Sequence, residues 1–468
     1  MNPMTLQEAA IHTSGSILGN ADNQQIVFND VATDSRVSMT NKLFIALKGE
    51  NFNGHDYLDK AIAQGAVACM LDEDRETTLP ILKVDNTTRA MGLLAKSVRA
   101  KLPLSCIGIT GSCGKTTVKE MIASILAIKG KVLATKGNFN NAIGVPLTLF
   151  RLSEGDQFAV IEMGASQPGD IDEIAQFAMP DVAVITNIGA AHLQGLGTIA
   201  GVAKVKGELL EHLNSVGTAV IQHDSPWLEQ WSQQLSASQK INTFSSSNIA
   251  ADFTAKEIQL GIEKVSFLAT TPAGDINIQL PIPGKHNIDN ALAAMAASMA
   301  VGASIEECQK GLAEISAVNG RLQILAGING SKIINDSYNS NPVSLKAAME
   351  VLSEFEGKRV LVLGDMAELG ADADSVHFDA GRQAKEMELD AIYATGKLSL
   401  SSVEGFGKGA EYFESKELLS EALKEKINEN WTLLIKGSRS AAMEEVVISL
   451  QEKDVGQQKQ QIGTQICY

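Results

Sequence analysis

Residues 110–117, Thr110-Gly111-Ser112-Cys113-Gly114-Lys115-Thr116-Thr117, bring a glycine turn, a lysine and several hydroxyls into eight positions. Glycines let backbone N–H groups turn toward an oxyanion. A lysine adds a point charge for β- and γ-phosphates, and a hydroxyl can face Mg²⁺. An apolar run at 104–110 enters the loop and a helical pattern at 115–129 leaves it, the setting a phosphate loop requires. The general nucleotide pattern wants a glycine where Ile109 stands, so only a shorter form, Gly111-x-x-Gly114-Lys115-Thr116, is present. The chemistry expected is binding of ATP or GTP with Mg²⁺. The competing reading is a glycine turn at a helix start, with Cys113 no more than a loop residue.

Two later strand ends carry further candidates. The run 158–164 contains Glu162, and a carboxylate closing a buried strand is placed to hold Mg²⁺ opposite phosphates. The run 185–192, Ile185-Thr186-Asn187-Ile188-Gly189-Ala190-Ala191-His192, sets His192 just past another strand, as a metal ligand or a donor to phosphate. Lys206, in Val205-Lys206-Gly207-Glu208, reads from physics alone as a solvated helix lysine.

The elements that position these residues form three α/β parts. The first is built of short strand-like runs, with 43–47 the clearest strand and a helix at 58–64 stopped by Gly65. The second has apolar runs without alternation at 104–110, 131–134, 158–163, 182–186 and 218–221, spaced for helices. That implies a parallel sheet covered on both faces. Between 253 and 281 the period switches to two, with turns at 261–263 and 272–274, read as an antiparallel appendage. A helix from Ile288 presents Ile288, Leu292, Met295 and Met299 on one face. The third part alternates strands at 332–335, 360–363, 391–394 and 433–435 with helices at 343–355, 375–387 and 416–427, a Rossmann-like unit. The boundaries expected are 1–84, 85–318 and 319–456. The glutamine-rich stretch 457–468 is read as a disordered tail.

Composition restricts the functions open to such a chain. Its 468 residues are 44% hydrophobic and 20% charged, values of an ordinary globular protein, and its net charge is -16. That charge repels nucleic acid and anionic membranes, so neither is expected as a partner. The five cysteines, Cys69, Cys106, Cys113, Cys308 and Cys467, form no CxxC pair, which argues against a disulfide framework and a zinc site. The first residues lack a basic and an apolar signal region, and no apolar run reaches the ~20 residues of a membrane span. A cytoplasmic protein is expected.

Taken together, these blocks resemble the Mur ligase family, across nearly the whole chain. Thr110-Gly111-x-x-Gly114-Lys115-Thr116-Thr117 looks like the family's own phosphate loop. Glu162-Met163-Gly164-Ala165 and Asn187-Ile188-Gly189-x-Ala191-His192 are similar to its metal-site strands. Lys206 falls on the lysine that the family carbamylates with CO₂, and so becomes a candidate anionic Mg²⁺ ligand beside Thr116, Glu162 and His192. His286, Asn287 and Asn290 match the segment near the nucleotide base, Arg321 the arginine facing the γ-phosphate, and Asp336 the aspartate near the ATP ribose. The resemblance implies a small UDP-binding first domain, a central ATPase-like domain and a Rossmann-like third.

Three blocks are similar to the branch of the family that adds D-alanyl-D-alanine to UDP-N-acetylmuramoyl-tripeptide. They are the loop with Asn138, Asn140 and Asn141; the first-domain residues Asp34, Ser35 and Arg36 with Asn51, Gly54 and His55; and Gly364-Asp365-Met366-x-Glu368-Leu369-Gly370 followed by His377. The implied activity is ATP-dependent amide ligation through an acyl phosphate, with both substrates small molecules and the enzyme a monomer. Each block also has a plain structural reading, such as a polar turn or a helix cap. The alternatives are a tripeptide-forming or folylpolyglutamate-type ligase, or a non-catalytic nucleotide-gated binding protein. Intact Lys115, Glu162 and Arg321 speak against the last.

Overall fold

The computed structural model describes residues 1–49 and 51–452, so the tail expected at 457–468, the boundary at 456 and Cys467 lie outside the described residues. Three main sheets follow one another along the chain. The first has five strands in the order Ser16–Leu18, Ile81–Lys83, Ala68–Leu71, Lys42–Ile45 and Asp30–Ala32, all parallel except the first pair.

The second sheet has nine strands. Their order is Val132–Ala134, Phe158–Glu162, Ser105–Thr110, Val182–Ile185, Thr218–Gln222, Lys240–Ser245, Phe253–Leu260, Val265–Thr271 and Gly274–Leu280. The unbroken apolar character of its central strands has a direct cause in packing. Cys106, Ala159, Ile161, Ala183 and Ile185 point into one core, while Ile107, Ile109, Val160, Val182 and Val184 point into another. With both faces covered, alternation disappears from the sequence. The first core continues through the helix Thr87–Ala100 into the five-stranded unit, where it takes in Phe28, Leu43 and Met70.

One expectation gains detail here and another changes. The period-two segment is antiparallel, as expected, and it extends the edge of the parallel sheet. Strand Phe253–Leu260 pairs in parallel with Lys240–Ser245 and antiparallel with Val265–Thr271, so one sheet runs throughout. The connecting strand, Lys-Ile-Asn-Thr-Phe-Ser, carries too few apolar residues to stand out in the sequence. The helix His286–Ala300 is no one-faced helix. Its residues from Asn287 to Ser298 are buried except Asp289, because it lies on the sheet beside the helices Lys115–Lys129 and Ile305–Ala313. Small alanines permit that close approach.

The third sheet has six strands, in the order Gln323–Ala326, Lys332–Asp336, Trp431–Lys436, Lys358–Leu363, Ala391–Thr395 and Ala410–Phe413, parallel after the first pair. Its two edge strands were not legible as strands in the sequence. No helix of the described residues is long and apolar enough to cross a membrane.

Candidate active site

A cavity of about 790 Å³ opens at the C-terminal ends of the central strands. It is lined from one side by Ser112–Thr117, Thr186, Asn187, His192, His286, Asn287 and Asn290. From the other side come Arg321, Asp336, Asn341, Glu368 and Lys436. Ligands of open α/β sheets bind at such strand ends.

The phosphate loop leaves strand Ser105–Thr110 and ends on helix Lys115–Lys129. Ile109, where the general motif has glycine, is fully buried in the strand, so here that position belongs to the sheet and not to the loop. Asn187 closes the shortened turn. Its carbonyl accepts from Ser112 N–H at 3.0 Å and its side-chain oxygen from Cys113 N–H at 2.9 Å. Gly111 has φ 143°, and a Cβ there would run into the Thr186 hydroxyl. The helix begins at Lys115 and its first internal bond is Val118 N–H to Gly114 C=O, which leaves the N–H groups before Val118 without helical acceptors. Lys115 Nζ donates to its own loop, at Gly111 C=O, 2.7 Å away. Burial pulls its pKa below the ordinary lysine range, against the opposing charge of Glu162. The hydroxyls of Thr110 and Ser112 are spent on Met163 C=O and Gly189 C=O, so these two shape the loop through their side chains.

Glu162 is 3% exposed. Its Oε1 accepts from Asn140 Nδ2 at 2.9 Å, while Oε2 is buried with no hydrogen-bond partner. Lys206, read from physics as solvated, is 1% exposed on helix Ile199–Glu211, and its Nζ has no partner either. Burial, with the charge of Lys115 adding to it, pushes Lys206 down to about 7. An unpartnered carboxylate oxygen and a buried amine whose pKa is brought down to about 7, so that a substantial share is neutral there, fit a site that takes a cation and a carbamate, with Thr116 at the helix start. Among the described residues no three His, Cys, Asp or Glu side chains gather in a cluster that could hold a metal by itself. His192 lines the cavity, but its Nδ1 meets the Glu368 carboxylate of the third sheet's unit.

Across the cavity, Arg321 sits over the face of Tyr338, 4.2 Å from the ring centroid, and reaches Thr116 Oγ1 at 3.5 Å. Asp336 ends strand Lys332–Asp336. One oxygen accepts from Leu322 N–H at 3.1 Å and the other pairs with Lys436. His286 is pushed down to about 4 by burial at the cavity wall, with Asp336 pulling the other way. Asn287 and Asn290 are tied to Pro283 C=O and to each other.

Like Glu162 and Lys206, the remaining candidates lie outside the residues that line the cavity. Asn141 caps helix Gly144–Leu149 by accepting from Gly144 N–H at 2.9 Å, and Asn138 is exposed in the same loop. In the first unit Asp34 and Arg36 form an ion pair at 2.8 Å, with Ser35 between them. Asn51 is exposed, and Gly54 lies against the Leu47 backbone. His55 is buried between Asn53 and Asp72. Asp365 holds the start of helix Ser399–Phe406 by accepting from Ser399 N–H at 2.8 Å. His377 is fully buried, taking Met366 N–H at 2.9 Å on Nε2. His55 and His377 thus have structural partners on their rings.

Sequence reasoning passed over Lys436 and quoted Asn187 and Glu368 without giving them roles. The available signal for Lys436 was a lysine closing the apolar strand Trp431–Lys436.

Comparison with known proteins accords with this geometry. Three family models match in chain order: "Mur ligase family, catalytic domain" over residues 28–99, "Mur ligase middle domain" over 109–298 and "Mur ligase, glutamate ligase domain" over 320–439. UDP-N-acetylmuramoyl-tripeptide–D-alanyl-D-alanine ligase of Escherichia coli (strain K12) is 44% identical over 439 residues, covering 93% of this chain and 96% of that one. The chain belongs to the Mur ligase family. Among Mur ligases of known structure, MurF from Acinetobacter baumannii superposes with a TM-score of 0.91 at 34% identity, covering 97% of this chain and 100% of that one. The MurF ligase of Thermotoga maritima, solved in complex with ADP, has a TM-score of 0.81 at 27% identity, covering 90% and 96%. The three-domain α/β fold expected from the sequence is the Mur ligase fold.

Proposed function

We propose that this chain is the ATP-dependent ligase that joins D-alanyl-D-alanine to the carboxylate of UDP-N-acetylmuramoyl-tripeptide, yielding the pentapeptide precursor of peptidoglycan with ADP and phosphate. One observation carries the reading: the phosphate-loop Lys115 is buried within reach of the charges of Glu162, Arg321 and Lys206, and Arg321 comes to Thr116 from the third unit. The likeness to the Escherichia coli ligase supplies the substrate class.

A carboxylate is a poor electrophile because oxide is a poor leaving group. Its oxygen attacks the γ-phosphorus of ATP, the bond to the bridging oxygen of ADP breaks, and an acyl phosphate forms. Two anions must meet, so cations must neutralise them. Lys115 and Arg321 do so from opposite walls, and the free N–H groups of the helix start hold phosphate oxygens. Thr116, Glu162, His192 and a carbamylated Lys206 would hold Mg²⁺, which supplies further charge neutralisation when bound. The amine of D-alanyl-D-alanine then attacks the acyl carbon. A C–N bond forms, the C–O bond to phosphate breaks, and the amine loses its proton.

His286, Asn287, Asn290 and Asp336 are assigned to the nucleoside. Asn138, Asn140 and Asn141, in the loop whose Asn140 bonds Glu162, are assigned to the peptide end, and Asp34, Ser35, Arg36, Asn51, Gly54 and His55 to the UDP-sugar. Asp365, in the third unit's loop 364–370, and His377, on the helix Ala373–Glu386, are assigned to the substrate side through the loop backbone that they hold in place. We place the domain boundaries at 84/85 and 318/319, between the sheets, with the chain a cytoplasmic monomer.

The deciding experiment is phosphate release from ATP with UDP-N-acetylmuramoyl-tripeptide, with D-alanyl-D-alanine present or withheld. Turnover should require both. Release driven equally by a folate acceptor, or by neither substrate, overturns the reading.

A further inference from the structure

His192 and Glu368 come from different domains, and both hold backbone conformations that side chains rarely adopt, φ 54° and φ 62°. Their side chains meet, His192 Nδ1 against the Glu368 carboxylate. Backbone strain of this kind persists only where the surroundings enforce it, and it gathers at functional sites.

Here the enforcement is visible. The third domain's loop 364–370 is tied down by Asp365 on Ser399, by Met366 N–H on the buried His377, and by Ser438 N–H on Asp365 C=O at 2.9 Å. Glu368 stands at its tip. Its own carbonyl accepts from Gln194 N–H at 3.3 Å, so backbone as well as side chain reaches across to the segment after His192.

We infer that Glu368 is a positioning residue that orients His192 from the third domain, so that the metal site is completed only when the third domain is seated on the central one. This rests on the reading that His192 faces the metal. A histidine that binds a metal usually gives its other ring nitrogen to a carboxylate, which fixes the ring and raises its basicity. Placing that carboxylate on another domain links cation affinity to domain seating. The enzyme then holds its cation firmly only when the acyl phosphate can be shielded from water.

The test uses Mn²⁺ as the probe, titrated into the full-length protein and followed by electron paramagnetic resonance, with ADP and UDP-N-acetylmuramoyl-tripeptide present. Glu368→Ala should weaken Mn²⁺ binding by about 10- to 100-fold, and Glu368→Gln by less. In a His192→Ala background, Glu368→Ala should add nothing, because its effect passes through that ring. A purely structural strut would instead add the same loss in both backgrounds. Unchanged Mn²⁺ affinity in Glu368→Ala, or additive losses, overturns the inference. If the wild type turns over its substrates while those results appear, only the inference fails. If the wild type shows no ligation, the proposed function fails first.

Discussion

An ammonium group taken from water without a partner is costly, and Lys206 is in that position. Its folded pKa is about 7 against an ordinary 10.5. Between those values the unfolded chain binds the extra proton, so stability rises with pH across that window and the penalty is fully present at and below pH 7. Lys206→Met should therefore stabilise the protein in CO₂-free buffer by about 1–3 kcal/mol at pH 7, an advantage that shrinks as pH rises toward 10.5. Urea unfolding at both pH values checks it. The same variant should lose ligation. In Lys206→Ala, a short added carboxylate should restore part of the turnover by standing in for the carbamate. Lys115→Ala should lower turnover by on the order of 10²–10³, read by phosphate release, with an unchanged circular dichroism spectrum. Lys206 shows how a residue's letter can mislead. Nothing in Val205-Lys206-Gly207 announces burial, which comes from the elements packed over the helix.

At the scale of elements, the loop 364–370 is held by His377, whose ring is neutral because burial pushes its pKa down and whose Nδ1 donates to Ala373 C=O at 2.7 Å. Removing the ring leaves Met366 N–H buried and unpaired. His377→Ala should cost about 1–3 kcal/mol and speed amide exchange at Met366, measured by hydrogen–deuterium exchange. Helices with an apolar period or a clear cap were the legible elements: Lys115–Lys129 ends where the sequence placed it, and Lys416–Lys426 within a residue. Lys240–Ser245, Gln323–Ala326 and Ala410–Phe413 were not, because edge or polar strands are specified by their neighbours' hydrogen bonds rather than by their own hydrophobicity.

At the scale of the molecule, the cavity is shared between two sheets and bridged by Arg321 to Thr116, Asn341 to Cys113 at 3.2 Å, and Glu368 to His192. Few contacts over a large polar cleft permit movement of the third domain. We expect small-angle scattering to show a smaller radius of gyration with a non-hydrolysable ATP analogue and the muramoyl-tripeptide bound than without ligands. Equal curves would mean the seating is permanent. The net charge of -16 repels anionic substrates at long range, so the site's local cations must outweigh that field for them to bind.

The sequence by itself determined the phosphate loop, the buried parallel strands and the chain order of the blocks. Those features are local, resting on glycine turns, apolar runs and caps within a few residues of one another. Only the tertiary structure decided that Lys206 is dry, that Lys436 engages Asp336, that His377 serves a backbone and that Glu368 meets His192. Each of these depends on groups brought together from distant parts of the chain, and burial and pairing are properties of that meeting rather than of the residues alone.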